Sequence, residues 1–187
     1  MKLGGISLKT SLSKEIGSWI KSIAIAFIVV FICRNYLFTA TTVYGESMEP
    51  TFSEFDRIIV GKHTSIERFD IIVFQSPDSD EYYIKRVIGL PGDHIEMKDN
   101  ILYINGKKHL EPYLMNENEL QFRNATGDFT LQELTGKDVV PEETLFVLGD
   151  NRLNSYDSRF FGFVPFNTVL GEVKFRYFPL EEIGMPK

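Results

Sequence analysis

Cysteine is almost absent from this 187-residue chain: the one copy, Cys33, lies inside the most apolar stretch. No intrachain disulfide can form, and zinc sites built on several cysteines are excluded. Redox compartment therefore has no signature in cysteine pairing. Histidine is nearly as scarce, with only His63, His94 and His109, and each reads as a strand or turn residue rather than a catalytic base. Internal repeats and low-complexity tracts are missing. So is a long uninterrupted apolar run, since the uncharged stretch Ser22 to Cys33 has 12 residues and spans only about 18 Å as a helix, against a hydrocarbon core of roughly 30 Å.

What remains is a chain with 43% hydrophobic and 25% charged residues, the composition of one globular domain and little else, which argues against disordered, collagen-like and multi-domain readings. The net charge of −6 is unevenly spread. Met1 to Arg34 carries five Lys/Arg against one Glu (+4), leaving 15 basic against 25 acidic residues (−10) in the rest. A body that acidic argues against a nucleic-acid partner.

Extended from Trp19 to Phe38, the apolar segment reaches 20 residues, about 30 Å, if Lys21 and Arg34 snorkel to the two interfaces. The expected organisation is a cytoplasmic tail over 1–18, a transmembrane helix over 19–38 and an extracytoplasmic body over 39–187. Lys2, Lys9, Lys14 and Lys21 precede the apolar run while Arg34 alone closely follows it, so the positive-inside bias puts the N-terminus in the cytoplasm. Run length and flanking charge fit both a removed signal peptide and a retained anchor. Tyr36, Leu37 and Phe38 lengthen the stretch beyond a usual signal core and favour the anchor.

The body reads as mainly β. Short runs rich in β-branched and aromatic residues recur at Arg57–Val60, Ile71–Phe74, Tyr82–Ile88, Ile95–Lys98, Ile101–Ile104, Thr144–Leu148 and Val173–Phe178. Asp99-Asn100 and Asn105-Gly106 fall at hairpin spacing, so Ile95 to His109 should be a meander with two tight turns. From Glu111 to Pro141 the residues turn polar, including Asn116 to Glu119 and Asn124 to Gly127. This part reads as a loop or small irregular excursion from the core.

Three segments could carry chemistry. In Gly45-Glu46-Ser47-Met48-Glu49-Pro50-Thr51, a serine stands between a permissive glycine and a rigid proline. An ordinary turn has the same composition, and a nucleophilic serine needs a base. Lys85 in Tyr82-Tyr83-Ile84-Lys85-Arg86-Val87-Ile88 shares a face with Tyr83 and Val87 by strand alternation, and burial there would lower its pKa until the neutral amine can accept a seryl proton. The bland reading is a lysine reaching into water from a strand edge. Gly149 to Arg159 packs turn residues, acids, arginines and serines directly after a strand, as either a charged surface turn or a hydrogen-bonded loop bracing a site. Asp150 and Asp157 do not match a calcium loop, so no metal and no cofactor is expected.

Together these segments resemble a type I signal peptidase of the bacterial, Ser/Lys kind, in the compact form of Gram-positive enzymes. The resemblance rests on the apolar N-terminal segment, Ser47 to Thr51, Asp56 to Val60, Tyr83 to Asp93, and Gly149 to Arg152 leading to Ser155, Asp157, Ser158 and Arg159. It implies an antiparallel β catalytic body, Ser47 as nucleophile and Lys85 as general base. Ser155 would hydrogen-bond the lysine, Tyr83 would pack near it, and Arg86, Asp157 and Arg159 would brace the site by ion pairing. Four departures stand out: Gly45 where some members carry a hydroxyl, Phe52 for a frequent leucine, Phe69 for a frequent glycine and Leu153 for a frequent acid.

The implied partners are secretory preproteins and membrane lipid. An extended peptide would add beside Thr41 to Gly45 and Tyr82 to Ile84, with Val43, Gly45, Met48, Phe52, Tyr82 and Ile84 as expected substrate-binding residues. By resemblance the cut follows small residues, as in Ala-X-Ala. Two rivals are a self-cleaving Ser/Lys repressor protease, which would need a DNA-binding N-terminal domain, and a membrane-tethered β module without chemistry.

Overall fold

The computed structural model describes residues 8–32, 36–114 and 126–184. The chain divides into two compact units, Met1–Phe38 and Thr39–Lys187. In the first, α1 (Leu8–Ile32) is a 25-residue helix in which Trp19, Ile23, Phe27 and Phe31 are exposed. No helix among the described residues is long and apolar enough to cross a membrane. Against the expected helix over 19–38, α1 ends at Ile32. α1 starts earlier, where lysines and hydroxyl residues dilute its apolar character, and Phe38 already opens a strand. Cys33, Arg34 and Asn35, on which the longer span depended, lie outside the described residues, as do residues 1–7 of the expected tail.

The second unit is mainly antiparallel β, as its alternating pattern predicts. In chain order its strands are β1 (Phe38–Thr42), β2 (Arg57–Gly61), β3 (Ile71–Gln75), β4 (Tyr82–Gly89), β5 (Ile95–Lys98), β6 (Ile101–Ile104), β7 (Lys107–His109), β8 (Phe129–Thr130), β9 (Thr144–Leu148), β10 (Val164–Pro165) and β11 (Val169–Phe178). They form a seven-stranded sheet in the order β1-β2-β11-β3-β4-β9-β10 and a four-stranded sheet in the order β7-β6-β5-β8. The two predicted turns close the β5–β6–β7 meander. Asp99, Asn100, Asn105 and Gly106 all take positive φ, the backbone that Asn and Gly tolerate and that matches strand twist in two-residue hairpins.

The pairing of β4 positions the site. Along one side it pairs with β3 from Tyr82 to Arg86. Along the other, β9 begins only at Arg86, opposite Leu148, so among the described residues Tyr82 to Lys85 have no strand on that side. Ile72, Phe74, Val87, Leu145 and Val147 pack one core cluster, while Met48, Phe52, Ile58, Val73 and Ile84 pack another. Each such side chain, fully buried, contributes about 1.5–3 kcal/mol of transfer free energy.

The excursion over 111–141 is more ordered at its end than its polarity suggests. A single 3-10 turn covers Pro112–Leu114. Thr130 then caps α2 (Leu131–Thr135), its hydroxyl accepting from the Glu133 N–H while the Glu133 carboxylate accepts from the Thr130 N–H. Phe129 and Leu131 enter the core beside β5 and β6. Asn116 to Glu119, Asn124 and Ala125 lie outside the described residues.

Candidate active site

Ser47 sits on a tight turn between β1 and β2. Gly45 supplies a φ of +78°, a left-handed conformation that costs a side-chain-bearing residue about 1–2 kcal/mol, and nothing in this chain crowds the position where a Cβ would stand. The turn closes through the Phe52 N–H to the Met48 carbonyl at 2.9 Å. Met48 and Phe52 are wholly buried and fasten the turn to the core. From across the fold, the Asn151 N–H donates to the Ser47 carbonyl at 3.0 Å and its amide donates to the Glu46 carbonyl at 3.1 Å.

Lys85 meets this turn from β4. Its Nζ lies 2.7 Å from Ser47 Oγ and 3.0 Å from the Ile84 carbonyl. Only 4% of the residue is exposed. Burial pushes the ammonium down from 10.5 to about 8, against the opposing pull of Asp157 and then Asp150. The Tyr83 ring centroid is 5.4 Å from Nζ.

The Gly149 to Arg159 loop holds the rest. Arg86 donates from Nε to Asp150 Oδ1 at 2.9 Å and from Nη2 to Asp150 Oδ2 at 2.6 Å, a bidentate pair buried on both sides. Thr51 donates to the same carboxylate at 2.5 Å, tying the Ser47 turn to it. Arg86 also donates to the Phe69 carbonyl at 2.9 Å and lies 3.8 Å from the Tyr113 ring centroid. Phe69 itself has a φ of +71°, a left-handed backbone that glycine adopts more readily; the ring is packed beside His109 and Tyr113.

Asp157 forms a separate brace. It caps α3 (Ser158–Phe161), accepts from Arg159 Nε at 2.8 Å and Nη2 at 2.9 Å, and accepts from the Gly149 N–H at 3.0 Å. The three expected bracing residues thus divide between two ion pairs, with Asp150 as the partner the sequence reading left without a role.

Two expectations need correction. Ser155 Oγ is buried but has no hydrogen-bond partner among the described residues, so it does not bond the Lys85 amine; Nζ turns instead to Ser47 and the Ile84 carbonyl. Ser155 is nonetheless tightly placed, since a Cβ on Gly149 would come within 2.2 Å of its Oγ and 2.5 Å of the Ser47 carbonyl. Met48 and Phe52, expected to bind substrate, do not line the cleft beside Ser47. Their apolar side chains take the core side of the turn.

That cleft, of about 260 Å³, is lined by Val43, Gly45, Tyr82 and Ile84 together with Ser47 and Lys85. Tyr156 also lines it, a residue that sequence reasoning passed over because nothing separates a cleft-facing tyrosine from a surface one in a non-repeating loop. None of the three histidines lines it. Among the described residues no group of three or more His, Cys, Asp or Glu side chains is arranged to hold a metal ion.

Residues 16–178 match the family described as signal peptidase, peptidase S26. The chain is 50% identical over 165 residues to a signal peptidase I of Bacillus caldolyticus, covering 86% of this chain and 90% of that protein. It is 42% identical over 180 residues to signal peptidase IB of Staphylococcus aureus strain COL, covering 91% and 94%. The crystal structure of a signal peptidase I from Enterococcus faecalis V583 superposes with a TM-score of 0.52 at 47% identity, covering 58% of this chain and 97% of that one. With the family match spanning most of the chain and these relatives matched nearly end to end, the chain belongs to the S26 family of signal peptidases.

Proposed function

We propose that the chain removes N-terminal signal peptides from exported preproteins through a Ser47/Lys85 dyad and an acyl-enzyme. The observation that carries this reading is the 2.7 Å contact between Lys85 Nζ and Ser47 Oγ in a site dry enough to bring the amine down to about 8. Neutral Lys85 takes the seryl proton as Oγ attacks the scissile carbonyl carbon. The Ser47 N–H donates to the oxyanion. As the C–N bond breaks, the lysine ammonium returns the proton to the leaving amine, freeing the mature protein. Lys85 then takes a proton from water; the hydroxide adds to the acyl carbon, and Ser47 Oγ leaves with the proton restored.

The substrate segment lies extended between Thr41–Gly45 and the unpaired side of Tyr82–Ile84, adding as a strand. Strand alternation turns the first and third residues before the cut toward the same pockets, and small side chains such as Ala-X-Ala fit there. The body works on the extracytoplasmic side of a membrane, held by the N-terminal apolar segment with its N-terminus in the cytoplasm. The exposed apolar side chains of α1 and the lysines before them support this topology; a single crossing requires Lys21 and Arg34 to reach opposite interfaces.

The test is a serine-acylating probe applied to the detergent-solubilised full chain, followed by digestion and mass spectrometry. Label on Ser47, and its loss in Ser47→Ala, is expected. An unlabelled wild-type protein that also fails to cut an Ala-X-Ala preprotein refutes the proposal.

A further inference from the structure

Tyr156 is the one residue of the Gly149–Arg159 loop that lines the cleft, and it is fixed from three directions. Its hydroxyl donates to Asp78 Oδ2 at 2.7 Å. Its ring stacks on Phe160 with centroids 5.7 Å apart and an interplanar angle of 23°, and meets the edge of Phe161 at 5.5 Å. Asp78 belongs to the turn joining β3 to β4, where its own N–H donates to Ser76 Oγ at 3.2 Å. The hydrogen bond therefore ties that turn to the loop following β9.

Tyr156 is 47% exposed, and a half-exposed tyrosine ordinarily gains nothing from being held in one rotamer, since ordering a side chain costs conformational entropy. Phe161 packs against a core cluster, and the bond to Asp78 adds a hold on the hydroxyl that this packing does not supply. Its sequence neighbours, Ser155 and Asp157, are both buried, while Tyr156 lines the same cleft as Ser47 and Lys85.

Resting on the peptidase reading above, we infer that Tyr156, tethered by Asp78, is a specificity-determining residue that limits the bulk of the substrate side chain admitted next to the base. A wall of this kind discriminates by size: each methylene that a rigid apolar pocket rejects or admits changes relative rates by roughly tenfold or more. The tether matters because a ring free to swing aside would yield to a larger side chain.

The experiment uses the detergent-solubilised full chain and two sets of peptides, differing only in Ala or Leu at the first or the third position before the cut. The readout is the Leu-to-Ala ratio of kcat/KM at each position. Tyr156→Ala should raise the ratio at one of them by about tenfold. Tyr156→Phe and Asp78→Ala keep the ring and lose the tether, and should each raise it by about threefold, with no further gain when combined. A ratio unchanged in all three variants overturns the proposal. So does an equal loss for Ala and Leu substrates in Tyr156→Ala with no shift in the tether variants, which marks the ring as structural. Probe labelling of Ser47 separates this from the reading beneath it: an unlabelled wild type fails the peptidase assignment, whereas labelled enzyme with unchanged ratios fails this inference alone.

Discussion

Lys85 is the residue whose replacement tests most of the chemistry at once. Burial holds its ammonium at about 8 in place of 10.5, so near pH 7 only about one tenth of the folded molecules carry the neutral amine, and kcat/KM should rise roughly tenfold to a plateau above pH 9, with its midpoint near 8. The same displacement has a sign for stability. Between pH 8 and 10.5 the unfolded chain binds this proton and the folded chain does not, so stability rises with pH across that window. Below it, confining the ammonium costs the fold about 3 kcal/mol.

Lys85→Met removes both effects. It should abolish cleavage of an Ala-X-Ala peptide. At pH 7 it should stabilise the protein by about 2 kcal/mol, after about 1 kcal/mol is deducted for the lost contact to Ser47. The assays are peptide hydrolysis from pH 6 to 10 and urea denaturation at pH 7 and 10. A flat activity profile, a midpoint near 10.5, or a variant that is inactive yet less stable than wild type at pH 7 would refute the reasoning.

Other substitutions probe the frame around the dyad. Asp150→Ala strands Arg86 in the interior without its bidentate partner and should cost about 3–5 kcal/mol in denaturant unfolding, with Thr51 losing its acceptor as well. Gly149→Ala drives a methyl group into Ser155 and the Ser47 carbonyl; overpacking of this kind costs about 1–3 kcal/mol, and probe acylation of Ser47 should slow by more than the stability loss alone predicts. Ser47→Ala should reduce turnover by at least about a thousandfold while leaving the thermal midpoint within a few degrees of wild type, as followed by circular dichroism.

Much of the body was legible because period-two alternation and Asn/Asp/Gly turns are local signals. β5, β6 and β9 begin and end where their residues indicate, and β11 merely extends four residues further toward its start than Val173. β1 was hidden because Phe38 continued an apolar run that reads as helix until its pairing with β2 is seen. α2, β8 and β10 are too short for any periodicity to register. In the site, the family resemblance singled out Ser47 and Lys85, which the fold brings to 2.7 Å. Which way Met48 and Phe52 point was not legible, since an irregular turn has no period to assign apolar side chains to core or cleft. The pairing of Arg86 with Asp150 rather than Asp157 is likewise a matter of β4–β9 register, a contact across 64 positions.

The bond from Asn151 to the Ser47 carbonyl spans 104 positions of the chain, and Arg176 reaches back to the Thr51 carbonyl across 125. During synthesis Ser47 and Lys85 both emerge long before Asn151 and Arg176, the residues that hold the Ser47 turn in place. On the proposed mechanism, cleavage therefore begins late, when the last long strand closes the sheet.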